Sequence, residues 1–164
     1  MKIILIVVIM ICFIMIGYGL SKYYIERKKF FSEFELFISN LSSNINFGRE
    51  KIFDIINKYD LQYKTYTMNK LCENYKHILE EKKYVNMTLF EGITILKKEE
   101  VELLQSFFAT LGKFDIYTQT KEINSYSIKF SEIYQNACED CKKYASLVLK
   151  LALVVGLLIC LLII

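Results

Sequence analysis

Two apolar runs, one at each end of the chain, limit what it can fold into. Residues 3–20 carry no charge. As a helix rising about 1.5 Å per residue, these 18 positions cover roughly 27 Å, close to a hydrocarbon core of about 30 Å. A cleaved signal peptide is the competing reading. However, the run exceeds the usual apolar region of about 7–15 residues, and Gly-Leu-Ser-Lys-Tyr-Tyr follows it rather than a small-x-small cleavage site. The second run, residues 151–164, is too short alone. Extended back to Tyr144 it reaches 21 residues and takes in Lys150, whose stem can lie in the apolar layer while its ammonium reaches the headgroups. The chain contains no Trp, so Tyr18, Tyr23, Tyr24 and Tyr144 supply the aromatic residues at the interface.

Basic residues set the expected orientation. Lys22, Arg27, Lys28 and Lys29 follow the first run, and Lys142, Lys143 and Lys150 border or enter the second. Only Lys2 and the amino terminus lie on the distal sides. The positive-inside rule then places the middle of the chain in the cytoplasm and both termini outside. The resulting organisation is an N-terminal span over 1–20, a helical domain over 21–143 and a C-terminal span over 144–164. Without Lys2 and Lys150 the middle holds 19 basic residues (21 less 2) against 18 acidic ones. Such a balance offers nothing to attract nucleic acid.

Helical periodicity runs through the middle. Phe30, Phe34, Phe37 and Leu41 form one apolar stripe continuous with the first span, ending at Gly48. A second helix is expected over about 49–59 with Ile52, Ile55 and Ile56 inward. A third covers 66–81, with Met68, Leu71, Cys72, Tyr75, Ile78 and Leu79 inward. A short fourth covers 87–91, with Asn86 as cap and Gly92 as stop. The fifth covers 97–111, with Val101, Leu104, Phe107, Phe108 and Leu111 inward. In the sixth, Ile116, Ile123, Phe130, Ala137 and Tyr144 recur every seven residues. Such a stripe wants a long antiparallel partner, and the first helix is the natural one. The expected fold is all-α: about six helices bundled in the cytoplasm, flanked by an N-terminal and a C-terminal transmembrane helix.

The stretch TLGKFDIYTQ, Thr110 to Gln119, joins helices five and six. Gly112, after Leu111, suits a left-handed helix cap. Asp115 suits the cap of the next helix, and Gln119 falls one position beyond a capping box. Gly48 would end the first helix in the same way as Gly112. All of these are structural signals that require no chemistry.

Catalytic signals are sparse. The chain has one histidine, His77, and no phosphate-binding GxxxxGK[ST] loop, which argues against triads, histidine relays and nucleotide hydrolysis. No cofactor, metal or small-molecule substrate is expected, and the chain reads as a non-enzyme. Cys138-Glu-Asp-Cys141 is the sharpest chemical candidate. A redox pair prefers a helix amino terminus and zinc needs about four ligands, whereas this pair lies late on a long helix. A membrane-tethered thiol protein using Cys138 and Cys141 is the alternative to a scaffold. Ala152 and Gly156 have the small-xxx-small spacing of packed spans.

The segment from Ile95-Leu96-Lys97-Lys98-Glu99-Glu100 through Leu103-Leu104 to Leu111-Gly112-Lys113-Phe114-Asp115 and Gln119 resembles a pattern of the stage III sporulation protein AB family: a leucine-rich helix, then LG-x-x-D-x-x-x-Q. LSSNINFG, ending at Gly48, resembles a second stretch of that family, with Asn44 where a glutamate is usual and no proline after Gly48. KYASLVLKLALVVGLLICLLII resembles its terminal anchor. The resemblance implies a subunit of the channel, or feeding-tube, assembly between mother cell and forespore in endospore formation. It implies a mother-cell cytoplasmic domain similar to the helical domains of type II secretion inner-membrane platform proteins. It also implies location in the engulfment membrane around the forespore, with a sporulation ATPase and membrane channel subunits as partners.

Overall fold

The computed structural model describes residues 2–47, 55–56, 64–81 and 84–163. The described residues form four α-helices and one 3₁₀ helix, and contain no strand. These are α1 (Lys2–Phe47), α2 (Tyr66–Glu80), the 3₁₀ helix (Met87–Phe90), α3 (Lys98–Thr110) and α4 (Ile116–Ile163). The helix expected over 49–59 lies outside the described residues except at Ile55 and Ile56, which are helical and buried. Gly48 and Ile52 also lie outside them. The fourth expected helix is a 3₁₀ turn, with Asn86 Oδ1 accepting from the amide of Thr88 at 3.1 Å. Each terminal apolar run continues without a break into the amphipathic helix beside it: the chain has no proline, and Gly17, Gly19 and Gly156 lie within the two helices without ending them.

Packing divides the chain into two compact units, residues 29–134 and residues 1–28 with 135–164. These boundaries lie about two helical turns further into the middle than the hydropathy limits at 20 and 144. Hydropathy marks where polar residues begin, whereas packing follows the helices as far as they touch.

Within residues 29–134 the core is a cluster of aromatic rings. Phe34 of α1 sits 4.7 Å from Phe130 of α4, 5.7 Å from Phe107 and 6.1 Å from Phe108 of α3, measured between ring centroids. Tyr75 brings α2 to the same cluster, 4.6 Å from Phe108. Spacings of three and four put Phe30, Phe34, Phe37 and Leu41 on one helical face, and each is at most 1% exposed. Burying each ring stabilises the fold by roughly 1.5–3 kcal/mol. The Tyr75 hydroxyl donates to the Phe108 carbonyl at 3.4 Å, and burial pushes its pKa up. Leu79 and Val101, expected inward, are only half-buried, and Ile116 is exposed on the first turn of α4.

Polar clamps fix the connections around this core. The Glu33 carboxylate of α1 accepts from the amides of Lys64 at 2.9 Å and Thr65 at 3.1 Å, and from the Thr65 hydroxyl. It takes up donors at the start of α2, where Thr65 makes no side-chain cap. Asn74 of α2 donates to the carbonyls of Leu89 and Glu91, holding the 3₁₀ turn. Gly92, at φ +79, follows Glu91 at φ −59 and ψ 126, and Ile93 N donates to Phe90 O. These are the angles and bond of a type II turn, which needs positive φ at its third residue.

Within the other unit, the two helices run antiparallel. Tyr24 lies tilted against Tyr144 with centroids 5.6 Å apart, Arg27 meets Asp140 at 3.0 Å, and the Cys160 thiol lies 3.8 Å from the Ile6 carbonyl. Small residues set the closest approach. A Cβ placed on Gly17 would come within 2.6 Å of Ala152 Cβ, and one on Gly156 within 3.3 Å of Phe13 Cβ. Of the small-xxx-small pair, Ala152 thus meets Gly17, which hydropathy did not single out, and Gly156 meets Met10 and Phe13. Gly17→Leu is expected to separate the two helices and lower the melting temperature of the detergent-solubilised protein. Gly19→Leu, on an open face with nothing within 4 Å, should leave it near wild type. Comparable melting temperatures for the two variants would contradict this packing.

Candidate functional site

The α3–α4 connection is built from two local devices. Leu111 has φ −63 and ψ 128, Gly112 has φ +77, and Lys113 N donates to Thr110 O at 3.3 Å. The positive φ of Gly112 therefore belongs to a type II turn, as at Gly92, rather than to a helix-continuing left-handed cap. The physical reason lies one turn into α4, where Gln119 Oε1 accepts from the Gly112 amide at 2.9 Å. Gln119 is 3% exposed, and its Nε2 has no hydrogen-bond partner among the described atoms. Its spacing suggested a near-miss capping box; its contact is instead a brace across the turn, seven residues back. No local sequence rule marks such a brace.

Asp115 Oδ2 accepts from the amides of Tyr117 at 3.1 Å and Thr118 at 3.2 Å, as an N-cap does. Hydrogen bonding by the Thr118 side chain, then by its amide, holds the carboxyl below its ordinary value of 3.8. The carboxylate is fully exposed. Around it stand Phe114, Ile116 and Tyr117, all exposed, and an open groove lined by Ile116, Tyr117, Thr120, Lys121 and Asn124. The turn thus presents an aromatic and basic surface, with its one carboxylate engaged by helix amides.

Replacing Gly112 by Val forces a β-branched residue to positive φ and is expected to cost about 1–3 kcal/mol. Asp115→Ala should lower the melting temperature and Asp115→Ser restore it, because a side-chain oxygen suffices. The acid dependence carries a sign. A depressed folded-state pKa makes the Asp115 contribution complete above pH 3.8 and lost as pH falls through the lower folded value. Asp115→Ser should abolish that dependence. Thermal melts of the four proteins across acid pH check all of this; equal loss from Ala and Ser would refute the capping role.

The basic residues beside the two apolar runs differ in burial. Lys22, Lys29, Lys142, Lys143 and Lys150 are exposed and Lys28 is half-buried. Arg27 is 2% exposed and is committed to Asp140. Cys138 and Cys141 are half-buried free thiols in the interior of α4, where no helix-terminal amides lie against them. Cys72, on α2, is buried in the core of residues 29–134.

The fold defines a class first. This is an all-helical protein with two helices long and apolar enough to cross a membrane, and only 11% of each apolar window is buried, unlike the core helix of a soluble protein. Within that class the chain belongs to the stage III sporulation protein AB family, whose model matches residues 2–164, and it is a sporulation protein. No curated protein and no solved structure matches it significantly.

Proposed function

We propose that the protein is a non-catalytic, membrane-anchored scaffold subunit of the mother cell–forespore channel assembly, joining a cytoplasmic ATPase to the membrane channel subunits. Family membership across nearly the whole chain is the observation that carries this reading. The packed helical unit of residues 29–134 supports it, offering an exposed surface at the α3–α4 turn. The near balance of charge and the lone histidine leave it little chemistry of its own. In this reading the middle of the chain is a helical bundle on the mother-cell cytoplasmic side, with both termini across the membrane surrounding the forespore. A basic excess beside both spans supports that orientation.

Three experiments test it. Full-length protein in mild detergent should retain the sporulation ATPase on an affinity column, and Tyr117→Ser in the exposed turn should weaken retention without lowering the melting temperature. Failure of the wild type to retain the ATPase would remove the coupling role. For topology, a cysteine-free chain carrying Tyr117→Cys should resist an impermeant thiol reagent until the cells are lysed. Replacing Cys138 and Cys141 together by Ser should leave sporulation intact, and loss of sporulation in a stable variant would favour a thiol function.

A further inference from the structure

Lys150 is a cation set in an apolar helix with no carboxylate near it in the sequence. No Asp or Glu occurs from residue 3 to 25 of α1 or after Asp140 of α4. The contact of Gly17 with Ala152 and that of Tyr24 with Tyr144 put just those two stretches side by side. Neither Lys143 nor Lys150 has an ion-pair partner among the described residues, and both are exposed.

The two lysines share a face. Seven residues of α-helix turn through almost two full turns, so Lys143 and Lys150 project from nearly the same side, about 10.5 Å apart along the axis. Exposed Ser146 lies between them. Side chains of a helix lean toward its amino terminus. On α4 that direction leads from Lys150 toward Ser146 and Lys143, out of the apolar layer. A Lys150 ammonium that rises along its stem therefore comes to the level of Ser146, and Lys143, less than one turn further along the same face, bounds that position on the polar side; Tyr18 and Tyr144 are exposed on the flanking stretches.

We propose that Lys143, Ser146 and Lys150 form a binding site for the phosphate headgroup of an anionic phospholipid. The proposal rests on the membrane-spanning reading of α1 and α4. Charge complementarity selects the occupant: the face holds two unmatched cations and a hydroxyl, and anionic headgroups are the anions a bilayer presents at that level. Lys142 lies about 100° around the helix and contributes only general attraction.

The test uses full-length protein in vesicles of phosphatidylcholine containing a trace of spin-labelled phosphatidylglycerol or spin-labelled phosphatidylcholine. The fraction of each lipid immobilised at the protein is then compared. Wild type should hold phosphatidylglycerol preferentially. Lys150→Leu and Lys143→Gln should each reduce the preference, by up to about fivefold. The double variant should show none, whereas Lys150→Arg and Lys142→Gln should retain it. Absence of a preference in wild type, or an equal loss in Lys142→Gln, would overturn the site. So would a Lys150-dependent oligomer in phosphatidylcholine alone, which would assign the lysine to an acidic group of another protein segment. Release of wild type from vesicles by alkaline carbonate would overturn the spanning reading and the lipid site with it. Retention without lipid preference would overturn the lipid site alone.

Discussion

Phe34→Ala is expected to unfold residues 29–134, or nearly so, at growth temperature. The Phe34 ring is fully buried and meets rings from α1, α3 and α4: Phe30, Phe37, Phe107, Phe108 and Phe130 all lie within 6.1 Å, centroid to centroid. Removing it forfeits apolar burial and opens a cavity bordered by rings too large to collapse into it. The cost should be about 3–5 kcal/mol, a large part of the roughly 5–15 kcal/mol that holds an ordinary domain folded. Phe34→Leu keeps much of the volume and should cost markedly less. Helix content alone is a poor readout, since the apolar helices would persist in detergent. Amide hydrogen exchange resolved along the chain is the better measure. Protection should collapse over α2 and α3 in Phe34→Ala while the apolar segments stay protected. Unchanged protection at α3 would show that the ring cluster is not the core.

The second large effect concerns Arg27 and Asp140. Arg27 is almost wholly buried, and its Nη1 donates to Asp140 Oδ2 at 3.0 Å. Asp140→Leu removes the carboxylate and leaves a buried guanidinium beside an apolar side chain. Loss of one partner from a fully buried pair costs about 3–5 kcal/mol. The carboxylate here is 27% exposed, so water shares its solvation and the loss should fall toward the lower end of that range. The reciprocal variant, Arg27→Leu, should cost less, because Asp140 can turn to solvent. Arg27→Leu combined with Asp140→Leu should recover much of the stability, since an apolar pair of that size can replace a buried ion pair at little net cost. Thermal melts of the three detergent-solubilised variants check the cycle. If the double variant is as unstable as the sum of the singles, the pair is not coupled as the geometry indicates.

Most of the helical plan was legible in the chain because it follows from periodicity. Phe30, Phe34, Phe37 and Leu41 could share a burial face only on a helix, and the seven-residue recurrence of Ile123, Phe130 and Ala137 holds in α4. The same stripe misled at its start, where Ile116 remains exposed. A periodic pattern reports which side of a helix a residue occupies but not whether another element covers it there. The α3–α4 turn was half legible. Gly112 and Asp115 carry their signals within three or four residues of the backbone they serve. Gln119 braces the Gly112 amide and Glu33 clamps Thr65 through bonds made in three dimensions.

Arg27 shows the division most clearly. By sequence it is one of four basic residues after an apolar run, equivalent to Lys22, Lys28 and Lys29. Only the antiparallel register of α1 against α4 distinguishes it, by bringing Asp140, 113 positions away, to 3.0 Å. Gly17 is the same case: an unremarkable glycine in an apolar run becomes the closest approach of two helices once Ala152 lies opposite. Composition and spacing by themselves determined that the described residues are helical, that the two ends are long and apolar enough to cross a membrane, and where the break between α3 and α4 falls. Those properties depend on local backbone preference and on transfer from water, both of which act on each segment alone. Which basic residue is neutralised, which glycine is a contact and which glutamine is a brace were decided by tertiary structure, because each depends on a partner that only packing brings within a few ångströms.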